Sequence, residues 1–194
     1  WTKTLEAVAH ALHAANLQGS DLAGIGITNQ RETVVVWDRA TGKPVHKAIV
    51  WQCRRTADYC AQLTAEGFDK PVAAKTGLVL DAYFSGTKLR WILKNDPALV
   101  ARAEAGELAA GTIDSWLLWN LTGGQVHATD VTNACRTMVF DIHTLAWDPE
   151  LLAKLEIPQA VLPAVKPSGG RFGQTVDVGV LPAGLPIAAI AGDQ

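Results

Sequence analysis

Arg31 and Glu32 stand side by side where an apolar run turns polar, in Gly26-Ile27-Thr28-Asn29-Gln30-Arg31-Glu32-Thr33. A guanidinium only donates hydrogen bonds and an ionised carboxylate only accepts them, so the pair suits hydroxyl groups, which do both. A second polar ending follows the apolar run Leu185–Ala191, in Gly192-Asp193-Gln194. A carboxylate placed there can act as general base toward a substrate hydroxyl. Trp51 and Tyr83 are candidates of another kind. An aromatic face packs on the C–H side of a polyol, and a phenol hydrogen-bonds its oxygens. Each of these residues also fits a plainer role. The Arg31–Glu32 stretch fits a strand running out into a solvated loop, Asp193 fits the N-cap of a following helix, and the two aromatics fit a core.

Ligands of open α/β sheets bind past the carboxyl ends of strands, so both polar stretches need a strand before them. Residues 22–28 and Pro186–Ala191 have that character. Neighbouring strand residues point to opposite faces, so Arg31 and Glu32 reach one ligand only if the backbone turns there. Around these strands, Leu5, Val8, Leu12 and Ala15 fall at helical spacing, with His10 and His13 off the stripe on the solvent side. Thr33–Trp37 and Val45–Trp51 flank a turn-rich stretch and predict an antiparallel hairpin, hence a mixed sheet.

Residues 54–66 predict a helix closed by Gly67. Arg54 and Arg55 in its first turn would oppose the helix dipole, which calls for carboxylate partners, a nearby anion or plain solvation. Residues 76–81 read as a short extended or loop segment, and 85–94 as helix. Asp96-Pro97 and Asp148-Pro149 are cap-plus-proline starts, the first helix ending at Gly106. Residues 111–113 predict a strand, Asp114 the cap of a Trp-rich helix, and 126–129 a short extended piece. The prolines and glycines of 158–170 predict an irregular surface crossing.

A chain of 194 residues, 48% hydrophobic and 19% charged, is long and apolar enough for one domain with its own core. A net charge of -2 gives no cationic surface for nucleic acid or an anionic membrane. Leu185–Ala191 is too short to insert in a membrane, and no leader pattern is present. Cys53, Cys60 and Cys135 are odd in number and lack metal spacing, which predicts small buried thiols in a reducing, cytoplasmic compartment. The seven tryptophans are expected to fill the core for the most part. The chain opens at Trp1 inside a helical pattern and closes directly after a strand, so it is expected to be a piece of a longer enzyme.

The first stretch continues into Trp51-Gln52-Cys53-Arg54-Arg55-Thr56, Tyr83-Phe84-Ser85-Gly86-Thr87-Lys88, Thr137-Met138-Val139-Phe140 and Ala191-Gly192-Asp193-Gln194. In this order the set resembles the FGGY carbohydrate kinase family along essentially the whole chain. Lys88, Trp91 and Asn95 also stand where that family's pattern has them. The resemblance implies an α/β fold of the ribonuclease H-like, actin-like ATPase kind with a mixed β-sheet, two such domains flanking a cleft. Residues 1–194 would be most of the N-terminal domain, incomplete at both ends. The first β-hairpin with its phosphate-binding loop and the whole C-terminal domain with the adenine site would be missing, so the chain alone would be inactive.

The implied reaction is phosphorylation of glycerol to sn-glycerol 3-phosphate with ATP and Mg2+. The stretches beginning at Gly26 and Trp51 point to glycerol rather than a larger sugar. Arg31, Glu32, Trp51, Tyr83, Asp193 and Gln194 match the family's glycerol-binding positions, and Asp193 would be the catalytic base. Arg31 and Glu32 would fix the polyol oxygens, Trp51 would wall the carbon chain, and Tyr83 and Gln194 would complete the hydrogen bonds. No ATP-binding residue and no metal ligand is expected in this chain. A homo-oligomer, dimer or tetramer, is implied as well. Val178–Gly184 carries no Lys or Arg where some bacterial relatives have a basic regulatory loop, so sugar-phosphate inhibition by that route is not expected. Two other readings stay open: a family member acting on a pentulose or another polyol, and a non-catalytic polyol-binding domain.

Overall fold

The computed structural model describes all residues, 1–194. Helix α1, Thr2–Ala15, ends at Asn16 in the left-handed region, which asparagine tolerates. It buries no residue completely, and Trp1, Val8 and Leu12 rest partly buried on the core beneath the sheet. Strand β1, Ile25–Asn29, and strand β2, Val35–Asp38, follow. Next come helices α2, Ala57–Ala65, α3, Asp69–Thr76, α4, Ser85–Lys94, and α5, Pro97–Glu104. Strand β3, Leu108–Gly111, helix α6, Ile113–Leu121, strand β4, Ala128–Asp130, and the four-residue helix α7, Val131–Ala134, make the middle of the chain. The two-residue strands β5, Phe140–Asp141, and β6, Ala146–Trp147, precede helix α8, Pro149–Lys154. Strands β7, Ala164–Lys166, β8, Gly169–Gln174, and β9, Pro186–Gly192, complete it.

The sheet that matters for the site has the order β1-β9-β8. β1 runs parallel to β9, and β8 runs antiparallel to it, so the sheet is mixed as the sequence implied. Ile27, Ile187 and Ile190 pack beneath it on Leu118, Leu121 and Phe172. Each such buried apolar side chain contributes about 1.5–3 kcal/mol, which anchors both strands under their polar ends. A larger core of 20 buried residues joins α2, α4, α5 and α8 to β2 and β3.

Several expectations hold. Asp96 accepts from the Ala98 N–H at 2.9 Å and Asp148 from the Leu151 N–H at 2.8 Å, so both cap-plus-proline starts are real. His10 and His13 are exposed.

Others are corrected. Residues 33–37 and 45–51 do not form a regular hairpin: β2 takes its ladder with β3, and the 44–49 segment meets it only through the bridges Val34–Ile49 and Trp37–Pro44. Pro44 has no N–H to continue a ladder, whereas Leu108, Ala109 and Ala110 offer a fully buried strand. The α2 helix starts at Ala57, so Arg54 and Arg55 lie before its first turn rather than in it. Arg54 pairs with Asp81 at 2.6 Å, and Arg55 stacks over Trp91 at 4.5 Å.

Thr112, not Asp114, is the N-cap position of α6. Asp114 is fully buried instead, and burial pushes its carboxyl up to about 6 despite hydrogen bonds from Thr112 and Thr129. The strand expected at 111–113 lies at 108–111. The 158–170 crossing contains β7 and the start of β8. Helix α3 had no counterpart in the sequence pattern, because only Val72 and Thr76 of it are buried. Its Pro71 sits in the first turn, where the missing N–H is harmless. Of the seven tryptophans only Trp37 and Trp119 are buried, and of the thiols only Cys60 is; Cys53 and Cys135 are half-buried.

Candidate active site

The parallel register of β1 and β9 brings Asn29 opposite Gly192, so both strands end at one level. The Asp193 N–H extends the pairing by donating to the Asn29 carbonyl at 3.2 Å. Past that level the two polar stretches meet. Arg31 donates from Nη2 to Gln194 Oε1 at 2.8 Å, and its Nε lies 3.9 Å from Asp193 Oδ1. Gly192 makes this crossing feasible: a Cβ there would lie 2.3 Å from Arg31 Cδ.

The turn that Arg31 and Glu32 need in order to share a ligand is present. The Thr33 N–H donates to the Arg31 carbonyl at 2.8 Å, and Glu32 between them has φ of 67°. Positive φ in a non-glycine residue costs about 1–3 kcal/mol and persists only where the surroundings impose it. Here the surroundings are specific. Glu32 is 2% exposed. Its Oε1 accepts from Arg136 Nε at 2.7 Å, and its carbonyl accepts from Ser85 Oγ at 3.2 Å. Arg136 in turn lies over the Phe84 ring at 4.9 Å and near the Tyr83 ring at 5.8 Å.

The aromatic side of the site is built by α4 and the turn before it. The Trp51 and Tyr83 rings lie 5.4 Å apart at 59°. Trp51 sits in a turn rather than at a strand end. The Tyr83 N–H donates to Asp81 Oδ1 at 2.7 Å, the same oxygen that Arg54 holds. Lys88 is 0% exposed, and its Nζ donates to the carbonyls of both Tyr83 and Trp51. One ammonium therefore ties the two wall residues together. Burial pushes it down to about 8, against the pull of Glu32, Cys53 and Asp81.

The sign of the resulting pH effect is fixed. Between about pH 8 and the unfolded value near 10.5, the unfolded chain keeps a proton that the folded chain has released, so stability rises with pH across that window. The stability of the wild type relative to Lys88→Met should climb by about 3 kcal/mol over it. Denaturant titrations of both proteins at stepped pH measure this, and a flat difference between them would show that the amine is not buried.

Arg31, Glu32, Trp51, Tyr83, Asp193 and Gln194, with Gln30, line a single cavity of about 220 Å³. Three larger hollows exist elsewhere. One, open and polar, lies between Arg39–Gly42 and Trp119–Gly124 and holds no carboxylate. Of the other two, one follows α1 and β1, and the other lies beside residues 44–48. Both are lined mainly by apolar side chains and lack convergent polar groups. The site cavity has a guanidinium, two carboxylates and two carboxamides facing an indole and a phenol, the composition expected of a site for a small polyhydroxy molecule. It can bind and orient hydroxyls and accept a proton. No group of three or more His, Cys, Asp or Glu residues capable of holding a metal ion occurs in the chain.

Sequence reasoning missed Arg136, which is 104 residues from Glu32 and stands in no marked pattern. It also missed the supporting roles of Lys88 and of Asp130, Thr132 and Asn133. Lys88 was visible only as part of the family pattern, and the other three only as polar side chains near the start of a short helix, Asp130-Val131-Thr132-Asn133.

The mixed sheet, its flanking helices and a polar cavity past the strand ends define an α/β domain of the ribonuclease H-like, actin-like ATPase kind. The chain belongs to the FGGY family of carbohydrate kinases, residues 1–194 matching that family's N-terminal domain. Particular relatives narrow the likeness. The chain is 58% identical to the glycerol kinase of Symbiobacterium thermophilum and 57% identical to that of Deinococcus radiodurans, in both cases over all of its 194 residues. It spans 39% and 38% of the length of those two curated proteins. The solved structure of Plasmodium falciparum glycerol kinase with ADP superposes with a TM-score of 0.89 at 34% identity, over 98% of this chain and 38% of that one.

Proposed function

We propose that the full-length protein is a glycerol kinase, and that residues 1–194 supply most of its acceptor site. The observation that carries this is the cavity where Arg31, Glu32, Trp51, Tyr83, Asp193 and Gln194 converge. Arg31 and Gln194 are already hydrogen-bonded to each other, so a triol entering beside them finds oriented donors and acceptors. Glu32 accepts from one hydroxyl, Tyr83 hydrogen-bonds another, and Trp51 covers the carbon chain. Asp193 takes the proton of the terminal hydroxyl as that oxygen bonds to the γ-phosphorus and the phosphorus–oxygen bond to ADP breaks. ATP bound with Mg2+ supplies the phosphoryl group and neutralises its charge, through a loose transition state that depends mainly on positioning.

The nucleotide and metal contacts belong, on this view, to parts of the full-length protein outside residues 1–194: the family's first hairpin and its second domain. A cytoplasmic homo-oligomer completes the proposal. The three cysteines form no disulfide, in keeping with a reducing compartment. No helix is long and apolar enough to cross a membrane.

A substrate panel on the full-length protein tests the assignment. Glycerol should be phosphorylated in preference to shorter alcohols, which leave site groups unpaired. It should also be preferred to pentuloses and longer polyols, whose extra hydroxyls would be buried without partners, at about 1–3 kcal/mol for each unpaired group. Calorimetric titration of glycerol, with and without Mg-ATP, should show one site. A preference for a five-carbon ketose would replace glycerol with a larger sugar, and binding without turnover would leave only a polyol-binding protein.

A further inference from the structure

We infer that Thr132, held by Asp130, is a positioning residue for Asp193: its hydroxyl clamps the last amide of β9 and so sets where the carboxylate stands. This rests on the kinase reading of the site.

Two consecutive amides fix the end of β9, one on each side. The Asp193 N–H donates to the Asn29 carbonyl of β1 at 3.2 Å. The Gly192 N–H points the other way and donates to Thr132 Oγ1 at 2.8 Å. Beyond them the chain has little support, since Asp193 and Gln194 are exposed. No strand covers that second side at Gly192, because β8 pairs with β9 only as far as Ala189. The Thr132 hydroxyl stands in for the missing ladder bond.

The hydroxyl is itself oriented. Its one proton goes to Asp130 Oδ2 at 2.7 Å, which leaves a lone pair for the Gly192 amide. Asp130 is 0% exposed and saturated. Its Oδ2 also accepts from Ser168 Oγ at 2.7 Å and the Thr132 N–H at 3.0 Å, and its Oδ1 accepts from the Asn133 N–H at 3.1 Å and from Asn133 Nδ2 at 2.8 Å. Burial alone would push this carboxyl up, yet the bonds from Ser168, Thr132 and Asn133 hold it below the usual carboxylate range. Asn133 Oδ1 then accepts from Asn29 Nδ2 at 2.9 Å, so one buried carboxylate fixes the ends of both β1 and β9. Displacing a reacting group by about 1 Å can cost on the order of 10²-fold in rate, so such a clamp is worth more to turnover than to binding.

The test compares Thr132→Val and Thr132→Ser in the full-length protein. Valine keeps the shape and removes the acceptor, and serine restores it. Thr132→Val should lower kcat about 10–100-fold and change KM for glycerol less than about 3-fold, with Thr132→Ser returning kcat close to wild type. Hydrogen exchange of the Gly192 amide should quicken in the valine variant alone. A valine variant with lowered thermal stability and unchanged kcat would overturn the inference, as would a rise in KM with kcat intact. If Thr132→Val does not fold, Ser168→Ala removes one donor to Asp130 instead. A fall in kcat at constant KM then supports the clamp, and an unchanged kcat rejects it. A wild-type protein without glycerol turnover would defeat the kinase reading itself and the inference with it, a result seen before any variant is made.

Discussion

Replacing Asp193 with asparagine in the full-length protein should lower kcat for glycerol by about 10²–10⁴-fold, the range spanned by a positioned general base. Asparagine keeps the size of the side chain and can still hydrogen-bond the substrate hydroxyl. What it cannot do is take the proton. The site around it should persist, because Arg31 is bonded to Gln194 and its Nε is 3.9 Å from Asp193, too long for a hydrogen bond. Glycerol binding should therefore weaken but stay measurable by calorimetry, and Asp193→Ala should behave the same way with weaker binding. Turnover within tenfold of wild type would remove Asp193 from the chemistry and turn attention to a water or a second carboxylate.

The second large effect is expected at Arg136. Its Nε lies 2.7 Å from Glu32 Oε1, and the Glu32 side chain is 3% exposed. Removing one partner of a buried pair leaves the other charged and uncompensated, at a cost of about 3–5 kcal/mol. The Arg136 side chain is 25% exposed, so water can reach the vacated space and the loss should fall near the lower bound. Arg136→Met should thus destabilise the protein by about 3 kcal/mol in denaturant titrations and weaken glycerol binding, since the freed carboxylate turns toward solvent. Adding Glu32→Gln to Arg136→Met should recover most of the stability and none of the binding. If the single variant is as stable as wild type, the pair is a solvated contact and Glu32 is held in its strained turn by other means.

Features written in continuous runs were legible. β1 and β9 are apolar stretches ending in polar groups, and α4, α5 and α8 carry clear spacing or caps. Arg31, Glu32, Asp193 and Gln194 were proposed for the same reason, since they follow the ends of β1 and β9, whereas Trp51 and Tyr83 came from stretches that resemble known kinases. Partners distant in the chain were not legible. β2 pairs with β3 some 70 residues on, and nothing in Val35–Asp38 names Leu108–Gly111 as its neighbour. β8, with Gly169-Gly170-Arg171-Phe172, shows no alternation because only Phe172 is buried. Arg136, Lys88 and Thr132 act through neighbours that the fold alone brings near. Their types were visible, but the atoms they serve were not.

The lysine that bonds the carbonyls of Trp51 and Tyr83 has a consequence for how this pocket could change its diet. Two aromatic jaws joined by a single pin cannot be pried apart one at a time, so the slot between them has a set girth. Engineering the protein toward a bulkier guest should begin at that hidden pin, since trimming either jaw opens space without moving the hinge that sets the gap.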